Sequence, residues 1–203
     1  MFRSIKIFLF TGIWLFSTSL LFAAEKASGQ FELGARTTAS LFNQENQAGV
    51  GTGGQFRIRF LESLSSEWFA DYITNDIQRL ALREDAHIGW SIMFYPFEHS
   101  FVPGSFTPYI LAGHCFDYTR IARYSDNSGQ ERISSAVQAG FGTHYHLSER
   151  FNFSVSGQYM LHLGDDIHAD INSNQISITR KDLSFEGHLL VTFSLNYRLG
   201  NLW

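Results

Sequence analysis

Cysteine is all but missing from this 203-residue chain: Cys115 stands alone. No internal disulfide can therefore form, even in an oxidising compartment. Proline is almost as scarce, with Pro96, Pro103 and Pro108 the only three, and nothing in the chain reads as a linker or low-complexity tract. Lysine occurs only at positions 6, 26 and 181. A soluble secreted domain normally solvates its surface with lysine; here arginine carries the positive charge. An excess of positive charge is also lacking. The net charge of −4 argues against nucleic acid as a partner. After Phe22 no apolar run is long enough for a membrane-crossing helix.

What the chain does have begins with a basic start, Arg3 and Lys6, followed by an apolar run from Ile7 to Phe22 and the small pair Ala23-Ala24. This is the pattern of a secretory signal peptide, with cleavage expected near Ala24, so residues 1–24 stand apart from one domain spanning 25–203. No cysteine follows the cleavage region, which removes a lipoprotein anchor.

The stretch from Leu183 to Leu199 alternates. Leu183, Phe185, Leu189, Val191, Phe193, Leu195, Tyr197 and Leu199 are apolar, and Ser184, Glu186, His188, Thr192, Ser194, Asn196 and Arg198 between them are polar. Successive side chains of a strand point to opposite faces, so this segment has one apolar and one wet face. It is also much longer than an ordinary strand of roughly five or six residues. Similar segments fall near 31–42, 53–62, 66–76, 85–97, 106–118, 132–146 and 150–163. Eight long amphipathic strands are the pattern of an all-β, antiparallel, up-and-down transmembrane barrel.

The connections alternate in length. Ser63-Leu64-Ser65 and Leu147-Ser148-Glu149 are abrupt, whereas Asn43 to Thr52, Ile77 to Glu84, Thr119 to Glu131 and Gly164 to Asp182 read as longer polar loops. Short turns at the periplasmic end and four long loops outside are expected of such a barrel. Aromatic residues recur at the periplasmic end of the segments: Phe31, Phe60, Trp68, Phe94, Tyr109, Tyr145, Phe151 with Phe153, and Tyr197. Such rings favour a membrane–water interface. A soluble lipocalin-type barrel also alternates, but the missing lysine, the aromatic level and the loop lengths favour the membrane version.

The stretches Thr107-Pro-Tyr-Ile-Leu-Ala-Gly113 and Ala139-Gly-Phe-Gly-Thr-His-Tyr-His-Leu-Ser-Glu-Arg150 resemble the small outer-membrane β-barrel family of opacity-type porins and the transmembrane domain of outer membrane protein A. The resemblance runs from about Phe31 to the end. It implies a Gram-negative cell-envelope protein, exported through the periplasm to the outer membrane. Its partners would be outer-membrane lipid and lipopolysaccharide. The terminal Trp203 looks like the C-terminal aromatic read by the barrel-assembly machinery, although Asn201 departs from the usual hydrophobic residue. The chain is expected to be a monomer, to lack a peptidoglycan-binding module and to need no cofactor.

Alternation assigns Glu32, Arg36, Arg57, Arg59, Glu67, Asp71, His87, Gln138, His144, His146, Gln158, His162, Glu186, His188 and Arg198 to the interior. An eight-stranded barrel is only wide enough for its side chains to fill, so buried charges must pair. A polar plugged interior with no catalytic residue is expected, and the role would be structural or surface-interacting. A narrow ion or solute channel is one alternative. A lipid A deacylase-like enzyme is another. Such enzymes carry a His-x-Ser pair with a nearby acid. Here His162 precedes Leu163 and Gly164, so Glu186 and His162 would be an acid and a base with no nucleophile. Asp165, Asp166, His168 and Asp170 could hold a divalent cation, but their spacing matches no calcium loop and a solvated acidic loop is preferred. Gly49, Gly51, Gly53 and Gly54 carry no lysine and precede a strand, so they are hairpin glycines and not a phosphate loop.

Overall fold

The computed structural model describes residues 28–42, 47–97, 102–172, 175–184 and 187–203. The signal-peptide reading lies outside them. The strands are β1 (Gln30–Phe42), β2 (Gln47–Leu61), β3 (Leu64–Ile77), β4 (Ala81–Phe94), β5 (Phe106–Arg123), β6 (Gly129–His146), β7 (Phe151–Asn172), β8 (Gln175–Ser184) and β9 (Gly187–Asn201). Every pairing is antiparallel. β1 to β7 pair in sequence order, β7 pairs with β9, and β9 returns to β1 through a register from Gln30↔Asn201 to Phe42↔His188. That contact closes an eight-stranded barrel, as backbone groups in lipid require, while among the described residues β8 pairs with β7 alone. β8 and β9 run along one edge of β7, β8 against Gly164–Asn172 and β9 against Phe151–Leu161. They are two stretches of one stave.

Gly29 and Leu202 meet at one rim, the near end. There the Gly29 amide donates to the Arg59 carbonyl at 2.8 Å and the Leu202 amide donates to the Gly29 carbonyl at 2.8 Å. The near-end turns follow β2, β4 and β6. At the far end pairing persists to Phe42↔Gln47, Ile77↔Ala81, Ala122↔Gly129 and Asn172↔Gln175. The four long loops expected there are therefore corrected to strand extensions; among the described residues, 78–80 join β3 to β4 and 124–128 join β5 to β6. The physical reason is simple. Above the apolar band the outer face meets water, so polar residues replace the apolar half of the alternation while the ladder hydrogen bonds continue.

Along β3 and β4, burial alternates through most of each strand. The outward positions form an apolar band that includes Leu33, Phe56, Trp68, Ile88, Ile110, Phe141, Phe153 and Phe193. The band ends below a belt of polar pairs. Glu84 accepts from the Tyr72 hydroxyl and pairs with Arg120 at 3.0 Å, Tyr118 donates to Glu131 at 2.7 Å, and Tyr124 donates to Asp76 at 3.2 Å.

The β3–β4 turn places Gln78 and Arg79 at φ of 50° and 60°. Two consecutive positive φ values define the type I′ hairpin turn, which matches strand twist and favours Asn-Gly. Asp76 Oδ1 accepts from the Arg79 amide at 2.6 Å. The left-handed region costs a side-chain-bearing residue about 1–2 kcal/mol. Arg79→Gly should therefore stabilise the folded chain by about 1 kcal/mol, read as a higher urea midpoint in unfolding from lipid vesicles. An unchanged or lower midpoint would contradict the assignment.

Candidate functional site: the packed interior

Inward-facing residues fill the barrel in layers. At the near end Tyr95, Tyr109, Met93 and Leu111 form a buried cluster. The Tyr95 hydroxyl lies 3.2 Å from His144 Nε2, and the Tyr109 ring stacks on His144 with centroids 4.5 Å apart. His144 Nδ1 lies 2.6 Å from Ser154 Oγ, and Thr107 Oγ1 lies 2.9 Å from His146 Nε2. The Arg59 guanidinium sits 4.6 Å over the Tyr95 ring. Next comes a charged network. Arg57 pairs with Glu32 at 2.9 Å and with Glu67 at 2.6 Å, and Arg198 Nε lies 3.9 Å from Glu32. Arg36 pairs with Asp71 at 3.0 Å and with Glu67 at 3.5 Å. Gln55 donates to Asn196 Oδ1 at 2.6 Å, and Asn196 in turn donates to Asn152 Oδ1 at 2.9 Å. Phe69, Ile73, Cys115, Ala136, Met160 and Leu190 make an apolar layer beside these polar groups.

Towards the far end β4, β5, β6, β7 and β9 bring a histidine–carboxylate cluster together. Asp117 Oδ1 lies 3.2 Å from His87 Nε2; its Oδ2 lies 3.0 Å from His162 Nδ1 and 3.1 Å from Arg132 Nη2. His162 Nε2 is 3.5 Å from His188 Nδ1, and the His188 ring stacks against His87 at 5.9 Å. Asp85 accepts from Thr119 Oγ1 at 2.7 Å and from Arg83 Nε at 2.9 Å. Arg132 also reaches Asp166 at 3.1 Å. Above it Ile77, Ala81, Ile121, Ile167 and Ala169 pack with Ile171, Ile176 and Ile178. The Arg123 side chain donates to the Ile176 carbonyl at 3.2 Å, which ties β5 to β8 across the mouth. The β7–β8 register is irregular between Gly164 and Asp166, where Gly164 has φ 129°. Beyond it Asp166, Ile167, His168 and Ala169 are all buried, and Ile167 and Ala169 join the lid.

Among residues expected inside, Glu32, Arg36, Arg57, Arg59, Asp71, His87, Gln138, His144, His146, Gln158, His162 and His188 are buried, and Glu67 and Arg198 are partly buried. Glu186 lies outside the described residues. Phe31, Phe60, Trp68, Phe94, Tyr145 and Tyr197 face outward. Phe31 lies 6.0 Å from Phe56, and Phe151 lies 4.8 Å from Tyr197. Tyr109 is the exception and is corrected: it is buried and points inward. Its place on the outer surface falls to Phe106, whose ring lies 4.8 Å from Tyr145. Between Pro108 and Ala112 both faces of β5 are apolar, so the sequence there does not reveal the phase. The structure does, because Tyr109 pairs with Gly142 and fills the space where a Cβ at Gly142 would lie 2.5 Å from its hydroxyl.

The four acidic-loop candidates do not converge. Asp165 pairs outward with Arg180 at 2.9 Å, Asp166 turns to Arg132, His168 lies 3.9 Å from Asp166, and Asp170 is exposed. The cluster that does converge, Asp85 with His87 and Asp117, was not singled out from the sequence. Its signal was the in-phase run Arg83, Asp85, His87 on β4 beside Cys115, Asp117, Thr119 on β5. The misplaced phase of Tyr109 turned Asp117 outward and hid it. In the β5–β6 turn, the Ser128 hydroxyl and amide both donate to Asp126 and hold its carboxyl below the usual range.

No protein family's sequence profile matches the chain, and no curated protein matches it. Solved structures do. Neisserial surface protein A is 14% identical, with a TM-score of 0.61 over 86% of this chain and 100% of that one. Outer membrane protein OprG from Pseudomonas aeruginosa is 16% identical, with a TM-score of 0.60 over 85% of this chain and 97% of that one. The N-terminal β-barrel domain of Pseudomonas aeruginosa OprF is 12% identical, with a TM-score of 0.55 over 86% and 100%. At these identities the likeness is one of architecture. Closure of eight strands, an outward apolar band and a filled interior together make this chain an eight-stranded antiparallel barrel of the small outer-membrane type.

Proposed function

We propose that this protein is an integral, monomeric protein of the bacterial outer membrane that neither conducts nor catalyses. Its role is structural or surface-interacting, through the strand extensions and turns of the far end. The observation that supports this most is the filled interior. An aromatic plug, a charged network, an apolar layer, the histidine–carboxylate cluster and an isoleucine lid succeed one another along the axis. Eight strands leave no continuous pore once such side chains are in place. The outward band would contact outer-membrane lipid and lipopolysaccharide, and Trp203 would serve recognition by the barrel-assembly machinery. The lipid A deacylase alternative is disfavoured because His162 faces Asp117 inside the barrel, away from lipid, and Leu163 and Gly164, not a His-x-Ser serine, follow it in the chain.

Reconstitution in planar bilayers should give no steady conductance steps at physiological salt. Steady ohmic conductance would replace the plugged scaffold with a channel. Release of fatty acid from lipopolysaccharide, abolished by His162→Ala, would replace it with an enzyme.

A further inference from the structure

We propose that the interior histidine–carboxylate cluster is a binding site for one divalent transition-metal ion, held by His87, Asp117 and Asp85. Each of the first three offers a ligand atom, and these atoms all lie within 4.8 Å of one another; among the described residues no other group of three does so. All three side chains are buried. Ligands around a tetrahedral ion with bonds of about 2.0–2.2 Å stand roughly 3.4 Å apart, so small side-chain rotations close the set.

A second observation points the same way. Asp117 Oδ1 and His87 Nε2 lie 3.2 Å apart as an ion pair. His87 Nδ1 is buried and makes no hydrogen bond. A buried ring nitrogen without a hydrogen-bond partner is what a metal-ligating histidine offers before its ion is bound. Both carboxylates are also fixed from behind. Arg132 and His162 hold Asp117 through Oδ2, while Thr119 and Arg83 hold Asp85. Such outer partners orient metal-binding carboxylates in built sites.

The local charge allows a cation. Asp85, Asp117 and Asp166 face Arg83 and Arg132, which leaves one net negative charge before any ion. Mixed imidazole and carboxylate donors select late first-row ions such as Zn²⁺ over Ca²⁺ or Mg²⁺, which prefer all-oxygen sets. The isoleucine lid and the near-end aromatic plug enclose the cluster, so the ion would enter while the barrel forms and stay afterwards.

The test is to refold the purified chain from denaturant into detergent with Zn²⁺, wash with chelator, and measure bound zinc. About one ion per chain should remain. His87→Gln and Asp85→Asn should retain at least tenfold less, while His114→Ala, on the outer surface, should match the native chain. Refolding with Co²⁺ alone should give the visible ligand-field bands of a low-symmetry nitrogen–oxygen site. Equal zinc retention by native chain and His87→Gln, or no retention by the native chain, would overturn the proposal. If a variant fails to fold, the Co²⁺ spectrum of the native chain decides, and its absence refutes the site.

Discussion

Replacing Arg57 with methionine should destabilise the folded barrel by about 3–5 kcal/mol. Arg57 is 4% exposed and joins Glu32 to Glu67 across three adjacent strands. Removing it leaves two carboxylates in a closed interior with their main counter-charge gone. Their remaining ionic partners are more distant: Arg198 at 3.9 Å for Glu32, which also accepts from Asn152 at 3.2 Å, and Arg36 at 3.5 Å for Glu67, itself already paired to Asp71. The cost comes from orphaned charge, so it should largely disappear when Glu32→Gln and Glu67→Gln accompany the change. Urea unfolding from lipid vesicles, followed by tryptophan fluorescence and gel mobility, gives both numbers. A single-variant loss below about 1 kcal/mol would mean that water reaches this layer, and the plugged interior would have to be abandoned.

Phe193→Arg should cost about 2–4 kcal/mol, whereas Leu199→Arg on the same strand face should cost about 0–1 kcal/mol. Both side chains face outward on β9, at 44% and 53% exposure. Phe193 lies midway along the apolar band beside Phe153, with ring centroids 6.3 Å apart, while Leu199 lies at the near-end rim. Only a lipid-facing surface makes the penalty depend on depth, since an arginine at the bilayer midplane loses its hydration and one at the interface keeps it. A water-soluble barrel would accept both changes almost equally. Similar midpoints for the two variants would therefore contradict membrane insertion.

The alternation on β9 and the scarcity of lysine were sufficient to read a barrel of eight strands with a wet interior, because period-2 patterning follows directly from strand geometry. The extent of the strands was less legible. Ile77 to Glu84 and Thr119 to Glu131 look like loops because polarity outside lipid no longer distinguishes a strand face from a turn. The ladder hydrogen bonds that extend β3, β4, β5 and β6 involve backbone groups common to every residue.

The candidate site was legible only in pieces. His87, His162 and His188 were assigned to the interior by phase alone, and Arg36, Arg57 and Glu32 likewise. Asp117 was hidden because β5 is apolar on both faces around Tyr109, and a one-residue change of phase moves every later side chain to the other wall. By itself the sequence determined which faces are apolar and how many strands close, since both depend on local periodicity. Only the tertiary structure decided which buried charges meet, that Tyr109 plugs the near end, that β7 and β8 bring isoleucines over the mouth, and that His87 meets Asp117. Those contacts depend on inter-strand register and barrel closure, and residues as distant in sequence as Glu32 and Asn152 become neighbours, 3.2 Å apart, only when β9 seals against β1.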